Sequence, residues 1–322
     1  MLTRRCELLY GEIMAAQQTK DQTVSLPDVP SITPSPFAAS AAAPTWVIAV
    51  ALVLIIIATA TLNLVVFARD ILTPARETTA GFVTPTLIAN VGMFLLFVHL
   101  FIRYVGRLTY SDIGLQRQHI LPALVVTALI WLTIQVVGLV WSIATTGAVY
   151  LDTIWQQVPA TYVIGRLIGQ VAGNALFEET VYRGFLMPQA FHKLQRALHN
   201  NLRRRIVAAI VISQLVFALI HIPGRILQGM GPASMGLSLS LVFVLGLLFA
   251  IMYVRTGNLY VCIGTHALIN APTSLFASQS IGVLTAITMA VIMILVGPRL
   301  LRLTTTIRPP KEVTSPGITL ET

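Results

Sequence analysis

The sequence predicts an all-α, polytopic membrane protein with about eight transmembrane helices, on three observations. Only 10% of its 322 residues are charged, against roughly 25% in soluble domains, so a water-facing surface cannot be assembled from them. Hydrophobic residues make up 56%. They are grouped in long runs without alternation, which reads as spanning helix and not as barrel strand.

The elements follow in order. Residues 1–44 open with mixed charge and continue into "PSITPSPFAASAAAP", the composition of a flexible tail. No apolar stretch follows Arg4 and Arg5, so a signal peptide is not expected. Eight apolar runs then lie at roughly 46–68, 82–102, 120–147, 161–188, 205–222, 234–254, 258–276 and 280–300. A hydrocarbon core of about 30 Å needs about 20 residues at helical rise, and these runs supply it. They define a transmembrane domain over 45–303, with a second flexible tail at 304–322. No repeat of fixed period and no soluble second domain is present. Cys6 falls in the tail and Cys262 in a helix, so neither a disulfide nor a CxxC metal pair is expected.

Basic residues set an orientation. With the N-terminus inside, sixteen Lys and Arg fall on inner segments, among them Arg103, Arg107, Arg117, Lys193, Arg196 and Arg203–Arg205. Only Arg69, Arg76 and Arg225 fall outside. By the positive-inside rule both termini are expected on the cytoplasmic face. The net charge of +9 is distributed as a membrane protein distributes it and does not suggest nucleic acid. "RALHNNLRRR" is read as a topology signal and a contact for anionic lipid, and no nucleic acid partner is expected.

The acids decide the rest. Ten of the twelve lie in tails or connections; only Glu178 and Glu179, in "FEETVYRGF", are inside a span. An acid near the bilayer centre costs about 2.5–3.5 kcal/mol or more, which marks the pair as a functional site. Neighbouring helical residues point about 100° apart. Arg183 lies four residues after Glu179, the spacing of a favourable pair. Glu179 is therefore read as charge-compensated, and Glu178 as free for chemistry. The bland alternative is one ion cluster holding helices together. In the fifth run Phe217 and His221 stand four apart. In the seventh, His266 and Asn270 do, on one face. His99, alone in the second run, is read as a hydrogen-bonded packing residue. Glu, two His and Asn either bind a divalent metal or activate a water, with Glu as general base and His and Asn stabilising an oxyanion.

"EETVYR", "FALIH" and "HALIN" fit Glu-Glu-x-x-x-Arg, Phe-x-x-x-His and His-x-x-x-Asn, in that order on successive helices. In this the chain resembles the CPBP family: CAAX proteases, including type II CAAX prenyl endopeptidases, and bacteriocin-processing or self-immunity proteins (the Abi family). "YSDIGLQR" resembles the stretch that precedes that family's core, and the likeness covers about residues 85–300. It implies an intramembrane endopeptidase in a bacterial plasma membrane, acting on a membrane-associated peptide or protein substrate within the lipid bilayer. Glu178 would be the catalytic acid, with His221 helping it activate water. His266 and Asn270 would line the oxyanion or metal position, and Glu179, Arg183 and Phe217 would support them. Zinc or another divalent metal, held by Glu178, His221 and His266, and a metal-free glutamate route are both open. Two further readings remain: an ion-coupled transporter relaying protons, and a non-proteolytic self-immunity protein that binds another membrane protein. "LIHIPG" is expected to break the fifth helix at Pro223.

Overall fold

The computed structural model describes residues 35–276 and 278–305. Among these there are helices and irregular segments and no strand. Arg4, Arg5, Cys6, Lys20, Arg308 and Lys311, with most of both expected tails, lie outside the described residues.

Eight helical rods follow one another: α1 (Thr45–Phe67), α2 (Pro85–Val105), α3 (Arg117–Thr146), α4 (160–193), α5 (Leu202–Leu227), α6 (Pro232–Thr256), α7 (Leu259–Asn270) and α8 (Gln279–Thr305). Six are long and apolar enough to cross a membrane: α1, α2, α3, α5, α6 and α8 over Gln279–Pro298. Sequence punctuation sets several boundaries. The Thr84 side chain accepts from the Leu87 N–H and Pro85 opens α2. The left-handed Gly257 closes α6. The Asn258 side chain then caps α7 by accepting from the Tyr260 and Val261 N–H groups.

α4 and α7 depart from the expected spans, and both carry the acid–histidine motifs. α4 is continuous but wound wide, with i→i+5 turns over Gln170–Asn174 and Glu179–Leu186. The same winding covers Leu62–Phe67 of α1 and Phe94–Val105 of α2, so it is shared by the helices around the site and does not single out α4. α7 has 12 residues where a span over 258–276 is expected. At about 1.5 Å per residue it reaches about 18 Å, short of a bilayer core. Pro272 ends it by driving Ala271 out of the helical region, to φ −145°. Irregular backbone at membrane depth must be satisfied by protein, and here it is. Trp155 donates to the Ser274 carbonyl at 2.8 Å, Gln135 Oε1 accepts from the Leu275 N–H at 2.9 Å, and the Leu275 carbonyl accepts from the Asp152 N–H at 2.7 Å. α5 also breaks slightly early: its first part stops at Leu219, His221 sits in the turn, and Pro223 falls inside the short helix Ile222–Leu227.

α4 is the shared wall between two apolar clusters. Phe177, Val181, Tyr182 and Phe185 pack with residues of α1 and α2. Ala175, Met187 and Phe191 pack with residues of α3, α6, α7 and α8. Its charged turn is thereby enclosed from both sides. The last ten residues of the expected N-terminal tail are described and docked on the end of α4. Phe37 stacks on Phe191 at 4.5 Å, and Gln189 takes the Ala43 N–H at 2.7 Å and donates to the Ala41 carbonyl at 2.8 Å. His99 packs as its context implied, with Nδ1 at 2.6 Å from the Tyr110 hydroxyl.

Candidate active site

Glu178 lies on α4 with its carboxylate between two imidazoles. His221 Nε2 is 3.9 Å from Oε1 and His266 Nε2 is 3.7 Å from Oε2. The three motif helices therefore converge. A short α7 explains how His266 reaches the same level as His221, which stands at the far end of the first part of α5.

Each ring is oriented by its other nitrogen. His221 Nδ1 is 2.7 Å from the Phe217 carbonyl, one turn back. His266 Nδ1 is 2.7 Å from Glu179 Oε1. A carbonyl and a carboxylate only accept, so both Nδ1 atoms carry the hydrogen. In the neutral rings both Nε2 atoms then present a lone pair toward Glu178. Four acceptor atoms face a gap too wide for direct hydrogen bonds. The group that suits it supplies donors or positive charge.

Behind Glu178 the support is dry. Glu179 and Arg183 are fully buried and bonded at 3.1 Å, the expected pair. The Arg183 guanidinium lies over the Phe217 ring at 4.1 Å from its centroid. Phe249 stacks on the His266 ring at 4.7 Å. Phe217 thus serves twice: its ring carries Arg183 and its carbonyl orients His221. Gly246 makes room, since a Cβ there would come within 3.2 Å of Arg183 Nη2.

In front of Glu178 is a cavity of about 450 Å³ bordered by Glu178 and His221. His266 meets the carboxylate from the buried side. Asn270 is exposed, and its amide N–H donates to Gln170 Oε1 at 2.9 Å. It joins the site through Gln170, which does border the cavity. Asn63, Asn90 and Asn174 also line it, and motif reading passed them over. The signal was available: Asn63 and Asn90 are each a lone amide within an apolar run, and Asn174 stands one turn from Gln170 in the run that holds Glu178. A second cavity of about 310 Å³ shares Phe67, Thr86 and Gln170 with the first and carries Arg76 and Arg166.

Orientation of both Nδ1 atoms by fixed acceptors is what histidine ligands of metals show. The placement is different. Each imidazole faces a different oxygen of Glu178, and among the described residues no three His, Cys, Asp or Glu side chains converge into a metal-holding group. In this arrangement the residues do not fit a three-ligand centre.

Fold and site together define a helical membrane protein with an enclosed glutamate–histidine centre. Residues 159–272, about a third of the chain, match the family described as type II CAAX prenyl endopeptidase Rce1-like. This segment is similar to that family, in agreement with the CPBP resemblance of the motifs, and the family supports a CAAX-type membrane protease activity in general. No curated protein and no solved structure matches the chain. Every motif residue from Glu178 to Asn270 lies inside the matched segment, whereas α1, α2 and α3 lie outside it.

Proposed function

We propose that the protein is an endopeptidase that cleaves a membrane-associated peptide or protein within or beside the bilayer by water activated at Glu178. The observation that carries this reading is the pair of 3.7 and 3.9 Å gaps between the Glu178 oxygens and the two Nε2 atoms. Polar gaps of this width are those a bridging water fills. Glu178 takes one proton from that water as the water oxygen attacks the carbonyl carbon. His221, on the cavity side, passes the proton to the leaving amine nitrogen as the C–N bond breaks. Charge developing on the carbonyl oxygen is met from α7 by the amide hydrogen of Asn270 not spent on Gln170. Glu179 and Arg183 hold His266 in place throughout. No serine or cysteine nucleophile enters this scheme.

The positive-inside count supports cytoplasmic termini, and the expected setting is a bacterial plasma membrane. Trapping tests the reading. Membrane polypeptides retained by purified Glu178→Gln and not by the wild type are identified by mass spectrometry, then offered to the wild type. Cleavage by wild type alone is expected. Wild-type turnover by Glu178→Gln would falsify it, and retention of a partner that neither form cleaves would favour a binding role. The same substrate decides the metal question. Turnover preserved after chelation supports the metal-free route; turnover lost and restored by zinc supports a metal.

A further inference from the structure

Three asparagines line the cavity in front of Glu178 without a part in the chemistry above: Asn63 on α1, Asn90 on α2 and Asn174 on α4. Each has its amide nitrogen tied down. Asn63 Nδ2 donates to the Thr59 carbonyl at 2.9 Å, Asn90 Nδ2 to the Thr86 carbonyl at 2.9 Å, and Asn174 Nδ2 to Gln170 Oε1 at 3.3 Å. For Asn63 and Asn90 the partner is a backbone carbonyl, which can only accept, so nitrogen and oxygen are assigned without ambiguity. One N–H of each Nδ2 is spent in this way, which fixes the side-chain orientation, and the Oδ1 acceptor of all three is left without a donor among the described residues. Asn63 Oδ1 faces Gly224, where a Cβ would approach it to 3.0 Å, so glycine keeps that oxygen uncovered.

Acceptors brought from three helices to one cavity call for N–H donors. A peptide bond can be attacked only where the substrate backbone is not wound into helix. At membrane depth every N–H so released needs an acceptor. An extended strand turns alternate residues to one side, about 6.6–6.8 Å apart, twice its rise. We propose that Asn63, Asn90 and Asn174 form an acceptor cradle for the backbone N–H groups of an extended substrate strand, and so fix which bond reaches Glu178. They are positioning residues. Asn174 stands four residues before Glu178, about one helical turn from it, which puts one rung of the cradle next to the reacting bond. Asn63 and Asn90 lie outside the segment matched by the family, 159–272.

The proposal rests on the hydrolytic reading only in calling the strand a substrate, so it is tested by binding without turnover. The probe is an end-capped Ala/Val tetrapeptide, compared with an ester counterpart in which alternate backbone N–H groups are replaced by oxygen. Affinities are measured calorimetrically for Glu178→Gln in detergent. Deleting an N–H opposite an enclosed acceptor is expected to weaken binding roughly 5- to 100-fold. Asn63→Leu, Asn90→Leu and Asn174→Leu, each added to Glu178→Gln, should narrow that ratio. Where a leucine variant does not fold, Asn90→Thr replaces it. A threonine hydroxyl donates back to the carbonyl four residues earlier and keeps the helix tie, while it is too short to offer the acceptor. Equal affinity for peptide and ester, no binding of either, or a ratio indifferent to all the asparagine variants overturns the cradle. Failure of the hydrolytic reading shows itself elsewhere, as undiminished turnover in Glu178→Gln, and leaves the ratio unchanged.

Discussion

The two imidazoles that flank Glu178 share a bonding pattern and differ in everything around it. His266 has 6% of its side chain exposed and sits on α7, bonded to a buried Glu179 that is bonded in turn to a buried Arg183. His221 has 24% exposed and hangs at the break in α5, held by one backbone carbonyl and an edge contact to Phe217 at 4.9 Å. One side is a rigid, desolvated frame. The other opens on the cavity. On the proposed reading the difference divides labour in the site: the His266 side would belong to the fixed frame behind the Glu178 carboxylate, and the His221 side, which borders the cavity, would meet substrate and carry protons.

Glu178 is the point where the halves meet, so its loss has the largest expected effect. Glu178→Gln keeps the shape and removes the base. Turnover of a verified substrate should fall about 10²–10⁴-fold, with the unfolding temperature close to wild type. Breaking the frame comes next. Arg183→Ala leaves Glu179 charged and enclosed, which typically costs about 3–5 kcal/mol. Denaturant unfolding in detergent and folded yield should both register it, along with activity. Normal yield and normal turnover in that variant would remove the frame from the comparison.

Much of this division was legible in the sequence, because a charge in an apolar run is costly enough to need a reason. That singled out Glu178 and Glu179, and the four-residue spacing gave the Glu179–Arg183 pair directly. The bond from Glu179 to His266 was not legible. It joins residues 87 positions apart, and nothing local distinguishes it from a contact to Glu178. Nor was the wide winding of α4, since propensity says little about i→i+5 turns. The early end of α7 could have been read from Pro272, but continuous hydrophobicity through residue 276 masked it. The four-residue spacing puts Asn270 on the face of His266, but its exposure and its bond to Gln170 depend on how α4 and α7 are set against each other. The eight apolar runs correspond to eight rods, of which the two that fall short of a crossing by length or composition, α4 and α7, hold Glu178, Glu179 and His266.

The pair His266→Ala and His221→Ala sharpens the comparison most directly. Removing His266 takes a hydrogen bond from a buried carboxylate, worth about 1.5–3 kcal/mol, and a stacking partner from Phe249. Stability and turnover should drop together. Removing His221 releases only a backbone carbonyl beside a polar cavity, so stability should stay within about 0.5 kcal/mol while turnover is lost. Equal stability changes in the two variants would mean that the surroundings, different as they are, do not separate the roles.

The smallest effect is expected at Phe217, which, like Glu178, touches both halves. Its ring carries the Arg183 guanidinium at 4.1 Å and meets Tyr182 edge-on at 5.0 Å. Its carbonyl, independent of the side chain, accepts from His221. Phe217→Leu therefore removes a cation–π contact of about 0.5–2 kcal/mol from the frame and spares the bond that orients His221. A modest loss of stability with turnover near wild type is the expected result, read by unfolding and by hydrolysis of the trapped substrate. If turnover falls as far as in His221→Ala while stability holds, the aromatic edge, and not the carbonyl, sets the angle of the imidazole. The open half of the site would then depend on the packing of the frame, and the boundary drawn at Glu178 would move to Phe217.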